Sequence, residues 1–325
     1  MLKIIEEKSK ITGLNKAFLK KIRRAAEYSK EVEVGYPGGN GTAKVYYIKK
    51  YDFWGCFDEA GDNRYWNAFG IGKPKETSNN SIICELNFPF SGILRSIGGA
   101  FAEDEAGNTY LVSRGKIGGG RVGIGKNLFD DNYQGSKVDA EDGGMVSEVA
   151  PIAAMKSPRF IVQLAFYIRE VERIKKLAAP GKHGKNAGNA GNDYNPEFMG
   201  KRKKGRQGPP VQADCDHGLV VDALKNRLAN DGLKKIANSK NMDLFVRNSK
   251  GKIVRLFEVK IVVDTTDIYQ GVGQLIVNSG IFATDARLVI VLPQSPSKRM
   301  RAAIGRAGIE LVTYSWVKDT PVFKF

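Results

Sequence analysis

"MDLFVRNSKGKIVRLFEVK", Met242 to Lys260, contains two apolar runs separated by the turn-forming residues "RNSKG". Runs of this kind pair as strands when the residues between them favour a turn. Along "LFEVK", side chains alternate between the two faces of a strand. Glu258 and Lys260 therefore share one face, with Phe257, Val259 and Ile261 on the other. A hairpin brings Asp243, at the start of the first run, beside Glu258. Charged groups in an apolar strand are costly unless they are paired or hold a metal.

The flanking residues supply the other elements. "HGLVVDALKNRLANDG" reads as a helix with Val221, Leu224 and Leu228 on one face, ended by Gly232. "DIYQGVGQLIVNSG" reads as a second helix, although Gly271 and Gly273 each cost about 1 kcal/mol against alanine. "ARLVIVLP" is a continuous apolar strand suited to the middle of a covered sheet. "SPSKRMRAAIGRAG" is a capped helix and "IELVTYSW" a last strand. That order predicts an α/β sandwich around a mixed sheet over 211–325.

Residues 1–179 read as a β-rich α+β domain. A helix over "NKAFLKKIRRAAEYSK" is followed by short runs such as "EVEVGYP", "AKVYYIKKY", "SIICELNFPF" and "NTYLVSRG". A helix begins at Ser157 and Pro158 and closes the domain. Between the two domains, 180–210 is rich in Gly, Asn, Pro and Lys and nearly free of aliphatic residues, the composition of a flexible basic linker.

With 51 Lys and Arg against 35 Asp and Glu, the chain carries a formal charge of +16, concentrated rather than spread. That excess points to a polyanionic partner, most simply nucleic acid. Three well-separated cysteines, Cys56, Cys84 and Cys215, and two histidines argue against a disulfide framework and a zinc site. No apolar run is long enough to span a bilayer and "MLKIIEEKSK" does not read as a signal peptide. The expectation is a cytoplasmic protein that binds DNA and no membrane.

Asp243 and Glu258 at one point can hold a hard divalent cation, with the Val259 carbonyl as a further oxygen ligand. Lys260 beside it can orient an attacking water and stabilise charge growing on a phosphate. Asp243 followed by Glu258-Val259-Lys260 at the end of an apolar strand resembles the PD-(D/E)xK motif of restriction-endonuclease-like nucleases. "GVGQL" resembles a segment that many of them carry on the next helix, with Gln274 at the polar position. "NMD" stands where the motif has Pro-Asp, and Asp222 is the candidate for an acidic residue on the first helix. The resemblance covers about 211–325. It implies Mg²⁺-dependent phosphodiester hydrolysis, with Mn²⁺ as a substitute, Asp243 and Glu258 as metal ligands and Lys260 as the catalytic lysine.

A bare Glu-x-Lys is common, and Glu6-x-Lys8 in a polar stretch is a solvated pair. The structural alternative for Glu258 and Lys260 is an edge-strand ion pair. His217, after Asp216 at a helix start, reads as a packed or capping residue. "GGRVGIGKN" nearly matches a phosphate-binding loop, but Asn127 replaces the Ser or Thr. A Gly-rich basic loop that meets a phosphate backbone through Arg114, Lys116, Arg121 and Lys126 is the better reading, with a surface hairpin as the alternative. Lys201, Arg202, Lys203 and Lys204 in "KRKKGR" read as a phosphate-binding tether. The rings of "YDFWGCFDEAGDNRYWNAFG" either line a base-stacking cleft or fill a core.

Together these features predict a two-domain DNA endonuclease, of restriction or defence type by fold-level analogy, with recognition in the N-terminal domain. A double-strand cut would call for two active sites and hence a homodimer. A repair or recombination nuclease, an RNA nuclease and a non-catalytic DNA-binding protein remain as alternatives.

Overall fold

The computed structural model describes the chain except for residues 37–38, 61–62, 78, 119–123, 134, 179–210 and 240–241. The expected linker, the "KRKKGR" cations and Arg121 therefore lie outside the described residues. The described residues fall into two compact units, one on each side of 179–210.

The N-terminal unit runs β1 (Leu2–Ile4), α1 (Lys8–Ala25), β2 (Tyr28–Tyr36), β3 (Gly39–Ile48), β4 (Phe53–Ala60), β5 (Arg64–Ile71), β6 (Asn80–Ser81), β7 (Cys84–Glu85) and β8 (Phe88–Pro89). It continues with β9 (Gly99–Glu103), β10 (Thr109–Ser113), α2 (Lys126–Asn132), β11 (Val138–Glu141), β12 (Val146–Ala154) and α3 (Phe160–Leu177). Strands β1, β11, β12, β10 and β9 close into a barrel, and β2 to β8 form a second sheet. Phe18 of α1 meets Phe57, Phe69, Phe88 and Phe160 edge to face. Phe53, Trp54 and Phe69 are buried, so these rings of the aromatic segment fill the core.

One expectation changes here, and two further elements run against composition. Helix α1 spans Lys8–Ala25, earlier than expected, and Tyr28 to Lys30 open β2 instead. The buried stripe Ile11, Asn15, Phe18 and Ile22 explains the earlier start, because it carries the helical period back towards the N-terminus. "NLFDDNYQG", a poor helix by composition, forms most of α2 because Phe129 stacks on Tyr133 at 4.4 Å and is buried. Strand β12 includes Pro151 between two neighbours, tolerated because the β10–β12 register shifts there in a bulge.

The C-terminal unit runs α4 (Val211–Asn230), β13 (Ile236–Ser239), β14 (Met242–Arg247), β15 (Ile253–Val259), α5 (Thr265–Ile281), β16 (Arg287–Leu292), α6 (Lys298–Arg306), β17 (Ile309–Val317) and β18 (Thr320–Lys324). Its strands form one mixed sheet in the order β13-β14-β15-β16-β17-β18, parallel only across β15-β16-β17. Val220, Val221, Leu224 and Leu228 of α4 cover one face with Phe257 and Val259. Ile268 and Leu275 of α5 and Ile304 of α6 cover the other face with Leu256 and Ile290. Asp264 caps α5 by accepting from the Asp267 amide at 2.7 Å, and Ser297 caps α6. Strands β13 and β18 extend the expected sheet. The turn into β18 passes through Lys318 at φ 58°, a left-handed position that its residue type does not announce.

Candidate active site at the end of the mixed sheet

Strands β14 and β15 pair antiparallel with Leu244 opposite Phe257, which puts Asp243 and Glu258 one step beyond, at the end of the hairpin. Gly251, at φ +81°, and the Asn248 side chain, which accepts from the Lys252 amide at 3.0 Å, hold the connecting turn in that register. The Val259 amide donates to Asp243 Oδ2 at 2.6 Å. Lys260 Nζ donates to Glu258 Oε1 and to Gln274 Oε1, both at 2.7 Å. The four side chains expected at the site therefore meet at one end of the sheet. Gln274 arrives on α5, whose Gly271 lies so close that a Cβ there would stand 3.0 Å from Lys260 Cε and from Ile290 Cδ1. The glycine that weakens the helix pattern thus makes room for the lysine stem.

The site holds one residue whose sequence context announces only packing. His217 is buried on α4, with Nε2 3.4 Å from Asp243 Oδ2 and 3.3 Å from the Val259 carbonyl oxygen. It continues the stripe of Val221, Leu224 and Leu228, so the face that packs on the sheet also carries the imidazole. That position on the stripe is the signal the sequence offers. Asp222 instead accepts from Asn226 one turn along, at 3.1 Å.

Burial sets the electrostatics. Glu258 is 3% exposed, and its carboxyl is pushed up to about 8 by desolvation and then by the neighbouring Asp243 charge, with Lys260 opposing. Burial acts the same way on Asp243, but His217, Lys260 and the Val259 amide outweigh it and hold that carboxyl below its usual range. Burial would lower Lys260, yet Glu258 and Asp243 raise it. Burial would also lower His217, and the Asp243 carboxylate reverses the sign. One buried cluster thus holds two carboxylates, and one of them is costly to ionise.

Among the described residues, no three His, Cys, Asp or Glu side chains form a ready metal cage. A small hard cation that keeps most of its waters needs only one or two carboxylates. Glu258 Oε2 is buried and has no hydrogen-bond partner among the described residues. An oxygen in that state, next to a second carboxylate, fits such a cation. Asp243 and Glu258 would hold it, with the Val259 carbonyl at the same end of the sheet.

The basic loop of the N-terminal unit needs correction. Arg114 is buried and pairs with Asp142 through Nε and Nη2, each at 2.8 Å, so it cannot reach a phosphate. Lys126 pairs with Asp130 at 2.9 Å and also donates to the Arg114 carbonyl. Lys116 is exposed. Cys56, Cys84 and Cys215 are free thiols in the core, and burial pushes Cys56 and Cys84 up to about 12. No described helix is long and apolar enough to cross a membrane.

No family model matches the chain, and no curated protein does. Among solved structures it is similar to one described as "Structure of EndoMS in apo form", at 14% identity over 98% of this chain and 99% of that one. The TM-score of 0.22 is too low for that likeness to bear on fold or function.

Proposed function

We propose that the C-terminal unit hydrolyses DNA phosphodiester bonds with Mg²⁺ or Mn²⁺ bound at Asp243 and Glu258, and that the N-terminal unit selects the DNA in a restriction or defence role. The observation that carries this reading is the convergence of Asp243, Glu258, Lys260 and Gln274, with Glu258 Oε2 buried and without a partner. An edge-strand ion pair accounts for neither feature: β15 is flanked by β14 and β16, and Glu258 is buried. A divalent cation bound there supplies Lewis acidity and lowers the pKa of a bound water.

The protein's own groups do the rest. Gln274 and Glu258 hold the Lys260 ammonium in place from two sides. From there it meets negative charge that grows on the phosphate as a water oxygen bonds to phosphorus and the ester P–O bond breaks. The Val259 amide and His217 fix Asp243. The test is incubation of the full chain with modified and unmodified DNAs, and with RNA in parallel, in Mg²⁺ and in EDTA. DNA cleavage that needs the metal and disappears in Asp243→Ala supports the reading. No cleavage under any metal, or cleavage of RNA alone, refutes it.

A further inference from the structure

Helix α1 carries seven Lys or Arg in its 18 residues and no carboxylate. Its apolar stripe faces inward, with Ile11, Phe18 and Ile22 at 1% exposure or less. Lys16, Lys20, Arg23 and Arg24 lie on the opposite side, at helical spacings of four, seven and eight, and all are exposed. Their side chains border an open recess of about 330 Å³ shared with Leu19. Arg23 lies over the Tyr46 ring at 5.5 Å, and Lys44 of β3 lies over the same ring at 6.0 Å.

Nearby carboxylates leave this stripe uncompensated. Glu103 takes Lys10 at 3.4 Å, and Glu27, just past the helix, accepts from the Lys49 amide. Glu31 stands opposite Lys44 in the β2–β3 register. Among the described residues, no carboxylate pairs with Lys16, Lys20, Arg23 or Arg24. Lys21, beside the stripe over Phe160, is held below the usual lysine range by burial and then by Arg24. Cations in a last turn do complement the helix dipole, which accounts for Arg23 and Arg24 alone. Lys16 and Lys20 lie further back and gain nothing from it.

We infer that this face of α1 is a docking surface for the phosphate backbone of DNA, with Lys16, Lys20, Arg23 and Arg24 each meeting a phosphate. Eight residues at 1.5 Å each span about 12 Å, the axial length over which one strand of a duplex presents three or four phosphates. A membrane surface fits less well, because the apolar residues that an amphipathic helix inserts into one are, in α1, in the core. The surface deepens the proposed function, since it takes DNA as the partner of the same chain. It does not draw on Arg114 of the basic loop, which is committed to Asp142.

The test measures binding alone, in EDTA, so it does not depend on catalysis. Duplex DNA is titrated with the full chain and with Lys16→Gln/Lys20→Gln/Arg23→Gln/Arg24→Gln across a range of salt. Each phosphate that the variant no longer neutralises takes about 0.9 from the slope of log K against log salt, so the slope should flatten by about 3–4. A triple variant that keeps Arg23 on Tyr46 should flatten it by about 2–3, and it serves if the quadruple variant melts early. A slope and affinity equal to wild type in a folded triple variant overturn the inference. Equal losses on duplex RNA would make the surface a general phosphate track, still as inferred. Loss of binding only to vesicles containing phosphatidylserine would overturn it in favour of a membrane.

Discussion

In the metal-free protein, the stability of Glu258→Gln relative to wild type should rise with pH. The Glu258 carboxyl is pushed to about 8 in the folded chain, against an ordinary 4.5. A group whose folded pKa is raised contributes stability that is present below its unfolded value and is lost as pH climbs through the folded value. The loss therefore falls between about pH 4.5 and 8. The amide of Gln resembles the protonated acid and can still accept from Lys260 Nζ, so the variant escapes that loss. At pH 5.5 wild type has lost about 1 kcal/mol of this contribution, and at pH 8 about 4 kcal/mol. The gain from Gln should thus grow by on the order of 3 kcal/mol between the two pH values. For a unit of this size that corresponds to a widening of roughly 10 °C in melting temperature. Melting wild type and variant in EDTA at pH 5.5, 7 and 8 reads it directly. Mg²⁺ should raise the melting temperature of wild type more at pH 8 than at pH 5.5, because the cation displaces a proton from Glu258. A gain that is flat with pH, or largest at low pH, would refute the view of Glu258 as a buried acid that a cation relieves.

Arg114→Ala should cost about 3–5 kcal/mol in denaturant unfolding of the N-terminal unit, because Asp142 would remain buried without its bidentate partner. A variant that unfolds like wild type but binds DNA less well would return Arg114 to the phosphate surface. Gly271→Ala should slow cleavage at least several-fold with little change in melting temperature. The new methyl group presses on Lys260 Cε and Ile290 Cδ1, while the gain in helix propensity of about 1 kcal/mol offsets the crowding. Wild-type turnover in a folded Gly271→Ala protein would show that the lysine position is not critical.

The legibility of this chain follows the range of its interactions. The β14–β15 hairpin and the place of Asp243 at the Glu258–Val259 step are local, written in period-two alternation and turn residues, and the structure shows both in the strand register and in the Val259 amide bond to Asp243. Gln274 is brought in by one helix that packs on the same strand. His217 is visible as part of an apolar stripe, but a stripe does not say what waits at its end, and Asp243 lies 26 positions on. Arg114 misleads for the same reason. Its glycines and neighbouring cations suggest a phosphate loop, while the carboxylate that claims it lies 28 residues away across the barrel. Helix α2 and the turn at Lys318 escape a reading by composition, because tertiary burial or a left-handed residue overrides it there.

The measurement that bears most directly on the site is single-turnover cleavage by Lys260→Ala, taken together with its DNA affinity and melting temperature. Lys260 touches Glu258 and Gln274, and its ammonium is expected to act on charge that develops only in the transition state. Loss of one preorganised donor of this kind should lower the rate by about 10²–10³ while DNA binding stays near wild type. A Lys260→Ala protein that melts earlier yet cleaves at the wild-type rate would contradict the account, leaving Lys260 as a structural ion pair.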